Sequence, residues 1–183
     1  MKDMLIGGRW IAARDQRSLS VVAPADGLIF EHIARGGAHE VDLAVAAARA
    51  ALAGPWGRLG ATERGRLLTR IAQGVLDHAD ELARIEARDT GKPMSTARND
   101  IAVLARYFEF YGGAADKVHG EVIPFVAGQQ VALLREPLGV TAHIIPWNYP
   151  MQILGRSLGA ALAMGNAAVV KPAEDASLTT LAI

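Results

Sequence analysis

The sequence has 183 residues, 51% of them hydrophobic, and its 19 basic and 19 acidic side chains cancel to a formal net charge of zero. There is enough apolar material for a packed core, while the charge balance speaks against a nucleic-acid footprint and against a polybasic membrane surface. Cysteine is absent, which excludes disulfides, zinc–thiolate and iron–sulfur sites, and any cysteine nucleophile within these residues.

The length fits one large domain or one and a fraction. Residues 1–8 hold too short an apolar run for a secretory signal. The longest uncharged apolar stretch, 157–170, is 14 residues and carries Gly159, Gly165 and Asn166, whereas a membrane span needs about 20. A soluble, cytoplasmic protein is expected.

Short strands open the chain. Residues 4–6 and 9–12 flank Gly7-Gly8, a dipeptide suited to a tight hairpin. Residues 19–22 and 28–34 are separated by Pro24-Ala25-Asp26-Gly27, which has turn chemistry. Four helices follow. The first covers 40–52, with Val41, Ala44, Val45, Ala48 and Leu52 at helical spacing, and stops at Gly54-Pro55. Thr62 is placed to cap the second, whose stripe is Leu67, Leu68, Ile71, Ala72, Val75 and Leu76. The third runs from about Asp80 to Gly91-Lys92-Pro93. The fourth covers 96–111, with Ile101, Leu104, Ala105 and Phe108 inward, and should end at Gly112-Gly113. The Arg and Glu residues of these helices read as solvated faces.

Beyond His119 the period changes to two. Residues 122–125 and 131–135 form a hairpin around Ala127-Gly128. Residues 140–145 are a near-continuous apolar run of the kind covered on both faces in a parallel sheet, with His143 as a core histidine. Residues 151–164 read as a helix, 166–170 as a second buried strand and 177–183 as the start of another helix. Strand, turn, helix, strand is one βαβ unit opening a parallel sheet. Two strands leave most of such a sheet uncovered, so the chain is expected to be the amino-terminal part of something longer.

Ligands of open α/β sheets bind outside the carboxyl ends of the strands. Two turns belong there, 145–150 and 171–175. A helix starting at Pro150 offers free N–H groups and a positive dipole end. Asn148, just ahead of it, is either a helix cap or a neutral amide aimed at a developing oxyanion. Lys171 and Glu174 are either a surface ion pair or a holder for the two hydroxyls of an adenosine ribose. Gly-x-Gly occurs nowhere, so the dinucleotide fingerprint is missing, and Gly91-Lys92 lacks the rest of a P-loop. The five histidines share no ligand spacing, and no metal site is expected.

The motifs themselves carry a resemblance. Glu136-Pro137-Leu138-Gly139-Val140, Ile145-Pro146-Trp147-Asn148-Tyr149-Pro150, Ala161-Leu162-Ala163-Met164-Gly165-Asn166 and Val170-Lys171-Pro172-Ala173-Glu174 occur in this order. Gly7-Gly8-Arg9-Trp10, Val41-Asp42-Leu43-Ala44-Val45 and Asp89-Thr90-Gly91-Lys92-Pro93 add weaker support. Together they resemble the amino-terminal part of the aldehyde dehydrogenase superfamily, NAD(P)-dependent enzymes that oxidise aldehydes to acids.

The resemblance implies an α/β fold: the start of a doubly wound parallel sheet, an incomplete Rossmann-like cofactor domain, preceded by helices and carrying a β-hairpin oligomerisation arm. It divides the chain into 1–117, the amino-terminal strands and helices, 118–137, the arm, and 138–183, the first βαβ unit. It implies that Asn148 is the oxyanion-hole residue, that Ile145, Pro146 and Trp147 line the cofactor, and that Lys171 and Glu174 hold the adenosine ribose of NAD, with NADP possible; Asn148, Pro172 and Ala173 complete the cofactor-binding set. A small aldehyde substrate and a homodimer or homotetramer follow, with neither nucleic acid nor membrane as partner.

The family's cysteine nucleophile and its glutamate base lie beyond residue 183, so this chain is expected to be inactive alone. Gln152 and Arg156 follow Asn148 at i+4 and i+8, which would set them along the aldehyde tunnel; the alternative turns Arg156 to the surface or pairs it with an acid. Competing expectations are a non-catalytic module that assembles or binds nucleotide weakly, and a family member that passes its acyl group to coenzyme A.

Overall fold

The computed structural model describes residues 2–125 and 127–183; Val126, inside the expected arm, lies outside them. Strands β1 (Met4–Ile6) and β2 (Arg9–Ile11) pair antiparallel across Gly7 and Gly8. Both glycines have positive φ, 58° and 76°, the combination that a two-residue hairpin turn of the favoured hand requires. Strands β3 (Ser18–Val22) and β4 (Ile29–Ala34) form a second antiparallel ladder with a register shift at Val21/Val22.

Helices α1 (Ala38–Ala53), α2 (Ala61–Asp77), α3 (Ala79–Thr90) and α4 (Met94–Ala114) follow, with one 3-10 turn at Trp56–Arg58 between the first two. Thr62 does not cap α2. The helix starts one residue earlier, with Gly60 ahead of it and its N–H held by the Glu63 carboxylate. The Thr62 hydroxyl donates instead to Asp116.

Nor does α4 stop at Gly112-Gly113. It runs through them, and Gly112 serves contact rather than termination. At the crossing of α2 and α4, a Cβ on Gly65 would lie 2.4 Å from the Gly112 carbonyl oxygen, and one on Gly112 would lie 2.9 Å from that of Gly65. Two backbones touch there, which only glycine permits.

The main core is built by α2, α3, α4 and α5 (Pro150–Ala163), with Leu68, Ala72, Val75, Leu82, Ile101, Leu104, Phe108, Met151 and Leu154 fully covered. The α4 stripe matches the spacing expectation. The α2 stripe is narrower, since Ile71 and Leu76 lie at its solvent rim. The expectation of solvated Arg and Glu faces fails at Glu86, which is 0% exposed, and two further acids, Asp89 and Asp100, are buried as completely.

Strands β5 (Glu121–Ile123) and β6 (Val131–Leu133) make an antiparallel hairpin, and Gly128 in its turn has φ 73°. Strands β7 (Val140–Ile144) and β8 (Ala167–Lys171) pair in parallel, joined through α5, and a short helix α6 (Leu178–Ala182) follows. This is the expected βαβ unit. Its strands are less covered than their apolar composition suggests: Ile144 is 78% exposed. His143 is half-buried rather than core, with a ring nitrogen 2.9 Å from the Thr141 hydroxyl.

Asn166 locks the unit. Its side-chain Oδ1 accepts from the Gly139 N–H ahead of β7, and its side-chain Nδ2 donates to the Ala161 carbonyl near the end of α5, both at 3.0 Å.

Candidate functional site

Parallel pairing brings the carboxyl ends of β7 and β8 to one edge. Ile144 is registered with Lys171, and the Ile145 N–H donates to the Lys171 carbonyl at 2.9 Å. The turns 145–149 and 171–175 therefore leave the sheet side by side. Pro150 occupies the first turn of α5, where a missing N–H costs nothing.

Asn148 does not cap α5. Tyr149 holds that position and no side chain bonds the helix start. The Asn148 side chain is exposed and makes no hydrogen bond among the described residues, so its amide donors are available outside the turn. The helix-cap alternative thereby loses its geometric basis. Trp147 beside it is 61% exposed and Pro146 half-buried. Ile145 is 1% exposed and packs into the main core.

Across the edge, Lys171 Nζ donates to Glu174 Oε2 at 2.6 Å, with both side chains 60% exposed. The hydrogen bond from Lys171 holds the Glu174 carboxyl below the ordinary carboxylate range, so it is an ionised, accessible acceptor. Pro172 and Ala173, both half-buried, lie between them, and the Ala176 N–H donates to the Ala173 carbonyl. An ionised carboxylate with accessible oxygen at a sheet's carboxyl edge fits a vicinal diol.

Gln152, expected on the substrate side, is committed inward: its amide donates to Asp100 Oδ1 at 2.6 Å. Arg156 is exposed and has no ion pair among the described residues.

Beneath the first turn lies an ionic cluster that spacing did not single out. Gly91, at φ 74°, ends α3 in the left-handed conformation, and Pro93 starts α4. That sharp turn directs Lys92 inward. Its ammonium donates to Glu86 Oε1 at 2.8 Å, to Asp100 Oδ2 at 2.6 Å and to the Asn148 carbonyl at 3.3 Å, and it lies 5.0 Å from the Tyr149 ring centre.

Burial alone would lower the Lys92 ammonium, but the hydrogen bonds to Asp100 and Glu86 outweigh it and raise it above the ordinary lysine value. Burial raises Glu86 against the pull of Lys92. A second acid, Asp89, accepts from the Leu178 N–H at 2.7 Å and so ties α3 to the start of α6. Burial pushes its carboxyl up to about 6. The available signal was positional: Glu86 and Asp89 share a helix face with Leu82 and Ala83, and Asp100 lies in the stripe of Ala97, Ile101 and Leu104.

The sequence profile of the aldehyde dehydrogenase family matches residues 10–183. A curated relative, hydroxyisobutyraldehyde dehydrogenase from Mycolicibacterium austroafricanum, is 46% identical over 178 residues, covering 97% of this chain and 35% of its own length. A crystal structure from Burkholderia cenocepacia superposes with a TM-score of 0.97 at 60% identity, over 98% of this chain and 38% of that one. PnpE in complex with nicotinamide adenine dinucleotide superposes with a TM-score of 0.95 at 43% identity, over 100% of this chain and 38% of its own. The chain thus spans about a third of the length of the curated relatives it matches. No helix among the described residues is long and apolar enough to cross a membrane.

Proposed function

The chain belongs to the aldehyde dehydrogenase family, and on that footing we propose that it is the amino-terminal third of an NAD-dependent enzyme that oxidises an aldehyde to a carboxylic acid. One observation carries the reading. The Ile145 to Lys171 hydrogen bond joins two turns, one with an unengaged amide at Asn148 and the other with an ionised, exposed carboxylate at Glu174. An amide so placed donates to oxygen on which negative charge develops, an effect worth about 3–4 kcal/mol where single donors of this kind have been removed. Glu174 accepts from the hydroxyls of the adenosine ribose, and Lys171 keeps it ionised. The nicotinamide of bound NAD supplies a hydride acceptor. Glu174 would repel a 2′-phosphate, which favours NAD, although Lys171 offsets part of that repulsion.

In this reading residues 1–117 and 138–183 belong to the cofactor domain, and 118–137 are an arm that contacts another subunit. The arm exposes Val122, Phe125 and Leu134, with Leu138 just beyond it, at 66%, 90%, 77% and 90%. A row of apolar side chains of that exposure fits burial in a homodimer or homotetramer. A cytoplasmic location is part of the same proposal. Arg156 on α5 favours aldehydes with a polar or anionic tail.

The test is hydride transfer. The full-length protein should reduce NAD with an aldehyde, whereas the 183-residue chain, which has no cysteine, should not. Turnover by the short chain, or none by the full-length protein with any of a broad panel of aldehydes, contradicts the reading.

A further inference from the structure

We propose that Lys92 is a positioning residue for the turn that carries Asn148, an inference that rests on the reading of Asn148 as the oxyanion donor. The two residues are 56 positions apart and come from different elements. An ammonium has three N–H donors, and all three are assigned here: Glu86, Asp100 and the Asn148 carbonyl. The two carboxylates belong to the rigid core of α3 and α4 and are fully buried, so they fix where the third donor points. The Tyr149 ring lies against the same ammonium. One buried charge thus grips two consecutive residues of the turn. On the far side of Pro150, Gln152 donates to the remaining Asp100 oxygen. The turn and the first turn of α5 are therefore braced on a single carboxylate.

The Asn148 side chain has no hydrogen bond of its own to fix it. Its direction follows from the backbone, which Lys92 holds at the carbonyl of the same residue. A donor to a developing oxyanion must be preorganised, and a misplacement of about 1 Å costs about 100-fold in rate. Lys92 need not touch substrate or cofactor to govern the reaction.

The experiment uses the full-length protein as wild type, Lys92→Met, Lys92→Met/Asp100→Asn, Asn148→Ala and Lys92→Met/Asp100→Asn/Asn148→Ala, with kcat and KM measured separately. Lys92→Met strands two buried carboxylates and threatens folding. The double variant removes one charge of each sign and leaves Glu86 free to take up a proton, and circular dichroism checks its fold.

The expected result is a fall in kcat of about 100-fold in the folded Lys92 variants, with KM for NAD unchanged. Hydrogen exchange at the Ile153 amide, which donates to the Tyr149 carbonyl at 3.0 Å, should quicken about tenfold on loss of the charged hydrogen bond. Adding Asn148→Ala should cost little more, since both changes remove one function. If the folded double variant keeps wild-type kcat while Asn148→Ala loses it, the positioning role is overturned and the oxyanion reading stands. Losses that add in full also overturn it. If Asn148→Ala keeps wild-type kcat, the oxyanion reading itself fails.

Discussion

The backbone N–H of Ile145 donates to the carbonyl of Lys171 at 2.9 Å, one step past the last registered pair of β7 and β8. This bond makes neighbours of two turns that are more than twenty residues apart in the chain. It places the Asn148 amide and the Glu174 carboxylate at one sheet edge, and the predictions about cofactor and catalysis below depend on it.

Replacing Glu174 by Gln should weaken NAD binding about tenfold in the full-length protein, the usual worth of a hydrogen bond to a charged acceptor. The kcat at saturating NAD should stay near wild type. Because the carboxylate no longer repels a 2′-phosphate, the preference for NAD over NADP should narrow. Titration of both cofactors by intrinsic fluorescence checks this.

The α2 and α4 backbones touch at Gly65 and Gly112, and a methyl group at Gly65 would enter the Gly112 carbonyl. Gly65→Ala should destabilise the fold by about 1–3 kcal/mol or more through forced separation of the helices. Gly113→Ala is the control: nothing lies within 4 Å of its added Cβ. That change should be neutral or stabilise by about 0.5–1 kcal/mol through helix propensity. Urea unfolding of the two variants checks the opposite signs.

Asp89 gives a pH dependence. Burial raises its carboxyl to about 6 in the folded chain from an ordinary value of 3.8. The folded state therefore holds a proton more tightly than the unfolded state. The stability this group contributes is fully present below about pH 4 and is lost as pH rises through about 6. A shift of this size corresponds to about 3 kcal/mol. Glu174 and Glu40, whose carboxyls are lowered, slope the other way, so the informative quantity is a difference. The stability of wild type minus that of Asp89→Asn should fall between about pH 4 and pH 6 and stay flat above. Chemical denaturation across that range measures it.

Asn166 satisfies the Gly139 N–H and the Ala161 carbonyl at once. Asn166→Ala should cost about 1–3 kcal/mol, because it leaves the Gly139 N–H of a part-buried junction unpaired, while the Ala161 carbonyl keeps the backbone N–H of residue 166. The loss should appear in thermal unfolding. Asn166→Asp should also destabilise, since a carboxylate cannot donate to the Ala161 carbonyl.

Much of this architecture is legible in the residues. Gly7-Gly8, the α4 stripe of Ile101, Leu104 and Phe108, and the change of period after His119 each obey a local rule, and the structure follows them. The misreadings share a cause, which is that tertiary contact overrode a local signal. Gly112-Gly113 resembles a helix stop, yet α4 continues through it and Gly112 serves a backbone contact with Gly65 of another helix. Thr62 resembles a cap, but Glu63 takes the N–H of Gly60. Glu86, Asp89 and Asp100 look like surface charges by type, while their positions in apolar stripes mark them as buried. Their partners, Lys92 and the Leu178 N–H, come from a turn and from another helix that no local pattern connects. At the site, Asn148, Lys171 and Glu174 could be located at the strand ends from sequence, but the inward commitment of Gln152 depends on Asp100, 52 residues away.

The central claim, that the Asn148 amide receives the negative charge of the reaction, is tested most directly by steady-state kinetics of Asn148→Ala in the full-length protein. We expect kcat to fall about 100- to 1,000-fold while the dissociation constant for NAD is unchanged. A variant that folds, binds NAD and turns over at the wild-type rate would contradict the account.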